Sequence, residues 1–423
     1  MVALINSRFS RTISLLITIF SLSLPAYAQY GGGTGEPNDP YQIATAADLI
    51  LLGETPEDYD KHFILTADID LDPNLPGGKV FDRAVIAMDM KDTLGFEGTA
   101  FKGSIDGNRH TVRNLTIKAG RDSAYLGLLG CIERSARVVD LEVTDVAISA
   151  GYRSDRIACL VGGSWGLICG CYSSGSIYQQ KYYGSISGTA LSGNLGGLAG
   201  LNAGSIVDCQ ADVSITSADL RASVGLLAGS SGGNVYRSSA SGSITSGKDN
   251  RGVGGLLGVN FGSVANCCAT SVIEGNAGSS VFGGLVGENI GSIANCFASG
   301  SIRNERGGGG LVGSNAYGAA IANSYAVTTI HSENTLGGGL VAYNHMGTIS
   351  NCFWDIDMSD MFKSDGGVGL STTQMQDRQT FLDKGWDFTD EGKNGTADHW
   401  LIPGPGRHPT LSIMSNQYQP PDL

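Results

Sequence analysis

Beyond its first 28 residues, this chain of 423 has no apolar run near the ~18 residues that cross a membrane as a helix, which excludes a helical span from the remainder. Basic residues are few. Lys and Arg number 27 against 40 Asp and Glu, and the resulting charge of −13 repels a polyanion, so no nucleic-acid partner is expected. Proline is scarce, at 11, and no Gly-X-Y period runs through the chain, which excludes a collagen-like helix. Several catalytic and metal motifs are missing too: there is no His-Glu-x-x-His, Cys-x-x-Cys or P-loop. Cys169-Gly-Cys171 is too tight for a zinc hairpin, and His62, His110, His331, His345, His399 and His408 show no ligand spacing. No cofactor is expected.

What the chain has in excess is glycine, 63 residues, about twice the usual ~7%. The N-terminus reads as an export signal: Arg8 and Arg11, an apolar stretch from Ile13 to Leu24, then Ala26-Tyr27-Ala28 as a cleavage site. Residues 1–28 are therefore expected to be removed, moving the net charge from −13 to −15, with the mature chain secreted, at the cell surface or in the periplasm.

Internal repetition is decisive. Gly-Gly-Leu-Leu-Gly at 254–258 recurs as Gly-Gly-Leu-Val-Gly at 283–287 and 309–313. With the central leucine as marker, eight units follow: Leu128, Leu160, Leu198, Leu226, Leu256, Leu285, Leu311 and Leu340, mostly about 29 residues apart. An aliphatic residue keeps step (Val235, Val264, Ile293, Ile321), then a Cys or Ser (Cys171, Cys209, Ser238, Cys267, Cys296, Ser324, Cys352), then an isoleucine (Ile244, Ile273, Ile302, Ile330). From Cys296 to Ile302 alternate residues are small and apolar, the pattern of a half-buried strand, and two more short strands per unit are expected. No such unit can bury its apolar face alone, so the units must stack. The fold expected is all-β, a right-handed parallel β-helix of about eight repeats over 126–353. A leucine-rich horseshoe would need a helical segment per repeat, and a propeller blade about 40 residues. The cysteines that share one repeat position read as a buried column more than as designed bridges, although inter-coil disulfides stay open. Asn202, Asn260, Asn289, Asn315 and Asn344 fall at one repeat position and Asn266, Asn295, Asn323 and Asn351 at another, predicting two amide ladders at two corners.

Residues 29–125 are expected to cap the stack and supply its first strands, with a helix over Tyr41–Leu52 capped by Thr45 and Asp48, a strand over Phe63–Leu71, and two strands in Phe101–Ile117 around Asp106-Gly107-Asn108. Residues 354–423 read as a second cap, with a helix over Thr373–Asp383 and tryptophans packed on the last coil.

These residues resemble proteins with the GLUG motif, a Gly-Leu-hydrophobic-Gly core. The run Gly-Gly-Leu-Val-Gly-Glu-Asn-Ile-Gly-Ser-Ile-Ala-Asn-Cys-Phe at 283–297 is nearly a consensus copy, and Asp-Pro-Tyr-Gln-Ile at 39–43 and Cys-Phe-Trp-Asp at 352–355 resemble the family's leader and tail. The resemblance implies an extracellular bacterial chain. Adhesin-like proteins carry such repeats, as do the flanks of an immunoglobulin-cleaving metallopeptidase whose zinc motif this sequence lacks.

Two candidate sites follow. Phe297, Tyr325 and Phe353 occupy the outward position after the Cys column in three successive coils, predicting an aromatic stripe that could grip a sugar chain or protein, unless the C-terminal segment covers it. Asp68, Asp70 and Asp72, spaced by two, share one strand face whose oxygens would suit calcium, although outward polar positions explain them as well. The functional expectation is a non-enzymatic adhesion or binding protein, its partner an extracellular carbohydrate or a host or neighbour-cell surface protein. A polysaccharide lyase or hydrolase on the same scaffold is the alternative.

Overall fold

The computed structural model describes residues 30–412 apart from 92–94, 181–192, 219–220, 277, 279–280, 317 and 333–336; the leader expected over 1–28 lies outside them. Among the described residues, four parallel sheets of twelve, eleven, eight and six strands run the length of one solenoid. One coil shows how the sequence builds it. Gly252–Gly254, Leu257–Asn260, Ser263–Ala265 and Cys268–Gly275 are four strands, each lying in register beneath its counterpart in the next coil. Three strands were expected per unit. The fourth arises because the marker leucine splits one strand into two, sitting at a bend flanked by glycine.

The repeat positions become inward columns. Val264 pairs with Ile293 and Ile293 with Ile321, while Ile273 pairs with Ile302 and Ile302 with Ile330. The marker leucines occupy adjacent rungs: Leu256 donates its N–H to the Leu285 carbonyl at 2.8 Å, Leu285 to Leu311 at 2.8 Å and Leu311 to Leu340 at 2.9 Å. All are fully buried, and each such side chain removed from water contributes ~1.5–3 kcal/mol. The flanking glycines are needed because neighbouring coils touch there through bare backbone. A Cβ on Gly284 would lie 2.1 Å from the Gly310 carbonyl oxygen.

One amide ladder forms as expected. Asn260 donates to Asn289 at 2.8 Å, Asn289 to Asn315 at 2.8 Å and Asn315 to the half-buried Asn344 at 2.9 Å; Asn260, Asn289 and Asn315 are fully buried, and the ladder continues upstream with Asn202 donating to Ser231. The Asn260 and Asn202 oxygens also serve their own turns, accepting from the Gly262 and Gly204 N–H groups. Asn289→Ala should lower stability by ~1–3 kcal/mol, since it takes from the buried Asn260 amide its shortest acceptor and from the Asn315 oxygen its ladder donor; a denaturant titration would read it. The second asparagine position behaves differently. Asn266, Asn295, Asn323 and Asn351 take φ values of 45–54°, so asparagine is there for the left-handed turn. Only the Asn351 to Asn323 amide bond, 3.3 Å, forms a ladder step at this corner among the described residues.

The Cys/Ser column follows that turn, and its side chains are more than filler. All nine cysteines are free thiols. Sγ of Cys267 donates to the Ala265 carbonyl at 3.2 Å and Oγ of Ser238 to Tyr236 at 2.9 Å, while the N–H of Cys267 donates to Sγ of Cys296 at 3.4 Å and that of Cys296 to Oγ of Ser324 at 3.1 Å. Thiol and hydroxyl therefore do one job, fastening the turn and the rung below. Cys267→Ser should stay within ~1 kcal/mol of wild type, whereas Cys267→Val, which fills the space but bonds to nothing, should lose ~1–3 kcal/mol; paired thermal melts would separate them.

The N-terminal block is part of the solenoid. Tyr41–Ile43, His62–Leu65 and Ser104–Asp106 are successive parallel rungs of the eleven-stranded sheet. Phe63–Leu71 is thus two strands on different sheets, His62–Leu65 and Ile69–Asp70, because the chain turns a corner between them. The region 101–117 likewise holds three short parallel strands, Ser104–Asp106, Thr111–Arg113 and Thr116–Lys118, and no hairpin. The helix is Ala46–Glu54, with Thr45 and Asp48 forming the expected capping box and Leu49 and Leu52 buried against the stack. Its start moves from residue 41 because Tyr41–Ile43 pairs as a strand.

At the C-terminal end, Phe353–Asp355 and Val368–Leu370 add the last rungs of the long-strand sheet. Trp354 lies over Gly339, its Nε1–H donating to the Met361 carbonyl at 2.9 Å, and Ser364 Oγ receives the N–H groups of Leu340 and Val341. The helix expected over Thr373–Asp383 is two, Thr372–Met375 and Arg378–Leu382. Asp377 causes the break by leaving helical backbone to accept from the Gln379 N–H as a new cap.

Candidate functional site

The three rings predicted to form an outward stripe are in register, Phe297 beside Tyr325 and Tyr325 beside Phe353. Phe297 and Tyr325 are stacked, with centroids 5.3 Å apart and planes 8° from parallel. They are not exposed: the stripe forms, but the C-terminal segment covers it, the alternative the sequence left open, and all three are buried. Met375, Phe381, Trp386, Phe388, Trp400 and Leu411 lie over them in a second core separate from the coil interior. Trp386 stands 5.8 Å from Phe353 and 6.3 Å from Tyr325, and its Nε1–H donates to the Asn351 carbonyl at 3.0 Å. Residues 372–412 therefore lie along the side of the solenoid, where the sequence suggested an end cap. The reason is area: three coils of outward aromatic surface offer more apolar contact than the end of one coil.

Asp68, Asp70 and Asp72 do not converge on an ion site. Asp68 accepts from the Thr111 N–H at 3.1 Å and lies 3.0 Å from Nδ1 of His110, and these contacts hold its carboxyl below the usual carboxylate range. Asp70 accepts from Asn114 at 2.8 Å and Arg113 at 3.0 Å, which lowers its carboxyl likewise. Asp72 turns to the Asn74 N–H. The calcium reading gives way to the outward-polar one: the oxygens of Asp68 and Asp70 answer donors from the next rung, Asp72 answers its own turn, and no group of three metal-capable side chains forms among the described residues.

Stacking also brings together a face the sequence reading passed over. Outward residues of the long strands align as Ser176, Ser214, Ser243, Val272, Ser301 and Thr329, and beside them Tyr178, Thr216, Thr245, Glu274, Arg303 and His331. These two columns are exposed or half-buried. Ser243 donates to Ser214 at 3.1 Å, and Thr270 and Ser299 on the neighbouring column lie 2.8 Å apart. The result is a flat hydroxyl-rich surface repeating every ~4.8 Å. Its signal was present in the sequence, as the odd positions between each Cys and Ile, and became a surface only once the rungs were aligned.

Desolvation pushes Cys159 and Cys352 up to about 12, so neither offers a thiolate at neutral pH.

Residues 278–303, one coil with its marker glycines and leucine, match the family model described as the GLUG motif. That coil carries the GLUG motif. The chain is similar to halomucin of Haloquadratum walsbyi, 29% identical over 197 residues, covering 43% of this chain and 2% of that protein. It is also similar to a protein of Evansella cellulosilytica provisionally named a Gly-rich membrane protein, 38% identical over 85 residues, 19% of this chain and 10% of the relative. The chain thus spans only a small part of either relative. Among solved structures it aligns with a Bacteroides ovatus protein provisionally named an immunoglobulin A1 protease, 14% identical, covering 91% of this chain and 96% of that one with a TM-score of 0.42. It also aligns with an IgA1 protease at 16% identity, 73% of this chain and 21% of the other, TM-score 0.37.

Proposed function

We propose that this GLUG solenoid is an exported, non-enzymatic binding protein of the cell surface or extracellular space, and that it holds an extended carbohydrate chain on its hydroxyl-rich long-strand face. The observation that carries this reading is the alignment of Ser176, Ser214, Ser243 and Ser301 on one outward surface. A polymer laid along the solenoid axis meets a similar donor and acceptor at almost every rung, so many weak contacts add within one ligand. Tyr178, 46% exposed, and Val272, 49% exposed, give the same surface apolar area against which a sugar face can lie. The names of the two relatives, a mucin and a membrane protein, and the export-type leader support a surface location.

The test is binding of residues 29–423 to arrayed extracellular polysaccharides, beside a variant carrying Ser214→Arg and Ser243→Arg. Both side chains point to solvent, so the fold should survive while the flat face is obstructed. A loss of affinity of about tenfold or more, ~1.4 kcal/mol, is expected. Equal binding by both proteins, or release of new sugar ends, would overturn the reading; the second outcome would establish an enzyme.

A further inference from the structure

Residues 372–412 are attached to the solenoid in a manner unlike any coil. Each rung is joined to the next by backbone ladders, yet among the described residues no backbone-to-backbone hydrogen bond links 372–412 to the coils. Apart from the apolar contacts over Phe297, Tyr325 and Phe353, the fastenings are side-chain bonds. One cluster gathers most of them. Asp355, fully buried, accepts from Oγ1 of Thr372 at 2.9 Å and from the Met358 N–H at 3.0 Å, and lies 2.9 Å from Nε2 of His408. His408 is stacked on Tyr325, planes 13° apart, and the Tyr325 hydroxyl donates to the neighbouring Pro409 carbonyl. Asp357 completes the corner by accepting from the Thr372 N–H at 2.9 Å.

We propose that residues 372–412 form a strap that opens as a unit ahead of the solenoid, and that Asp355 with His408 is its acid-sensitive latch. Opening uncovers the three rings, an aromatic surface available only in the unlatched protein. The absence of ladder bonds makes the strap a separate cooperative unit, since local opening follows the boundaries where few backbone bonds cross. The ionisable groups facing the latch are His408 and Tyr325, with Asp357 on the following turn. Burial keeps the Tyr325 hydroxyl protonated, so it does not titrate in the acid range. Desolvation disfavours the charge on Asp355, but the bonds from His408, Met358 and Thr372 outweigh it and leave the carboxyl below its usual range. Its contribution is then fully present above an unfolded value of ~3.9 and is lost as pH falls through the lower folded value.

The test is amide hydrogen exchange of the full chain at about pH 7 and about pH 3, corrected for intrinsic rates, with residues 372–412 and 252–303 followed separately. In wild type, acid should lower protection of the strap severalfold while the coils stay protected. Asp355→Asn and His408→Gln should each lower strap protection already at neutral pH and flatten its acid response, with coil exchange unchanged as evidence of an intact fold. Loss of strap and coil protection together in wild type would overturn the proposal. So would a wild-type acid response in both variants.

Discussion

Gly284→Val is expected to be the most damaging single change in the solenoid, lowering stability by ~3–5 kcal/mol. The new Cβ alone would stand 2.1 Å from the Gly310 carbonyl oxygen, 2.8 Å from Thr328 Oγ1 and 3.0 Å from the Ala298 methyl. Two of these three atoms belong to the next coil, and the 2.8 Å bond from Thr328 Oγ1 to the Gly310 carbonyl ties them to each other. The damage should propagate, because the stability of a stacked array is a sum of nearest-neighbour contacts and separating coils 285 and 311 removes one such term completely. Thermal melts by circular dichroism would read the loss. Gly392→Ala, at a site with nothing within 4 Å, is the internal control and should change stability by less than ~0.5 kcal/mol. Equal melting of the two variants would mean that the coils do not touch through bare backbone.

Trp386→Ala is the second large effect, and it should fall on a different part of the molecule. Trp386 is fully buried among Trp400 at 4.6 Å, Phe381 at 4.8 Å and Phe353 at 5.8 Å, and it alone supplies the donor to the Asn351 carbonyl. Removing so large a ring from a dry cluster typically costs ~3–5 kcal/mol. The inward columns do not touch that cluster, so the coils should melt near the wild-type temperature while the second core dissolves. A dye that reports exposed apolar surface should bind the variant well below its main transition. A single transition shifted as a whole would show that the two cores are one cooperative unit.

These two substitutions also mark how far the residues could be read in order. The glycine at 284 announced its role through recurrence: a residue that returns beside the same leucine every coil is being held to a geometry, and bare-backbone stacking is the geometry that excludes every other side chain. The marker leucines, the Val264 and Ile293 positions, Ile273 and Ile302, and the Asn260 to Asn344 ladder were legible for the same reason, since identical environments one rung apart ask for similar side chains. Phe297, Tyr325 and Phe353 were legible as a stripe, but whether it was surface or covered was not. Nothing in their spacing says what lies on top of them, because the covering residues, Phe381, Trp386 and Trp400, stand outside the repeat and arrive from an irregular segment. Asp68 and Asp70 fail as an ion site for a similar reason. Their partners, His110, Arg113 and Asn114, are some forty residues later and become neighbours only when the next rung is laid down.

The repeat by itself determined that this chain stacks, which columns point inward and where glycine and asparagine must sit, because those demands are local and are repeated at every coil. Only the tertiary structure decided which outward residues remain open, since that depends on where the unrepeated ends come to rest. The 372–412 segment took the aromatic side and left the serine and threonine face to solvent, because aromatic area released from water outweighs anything a hydroxyl surface could have offered it.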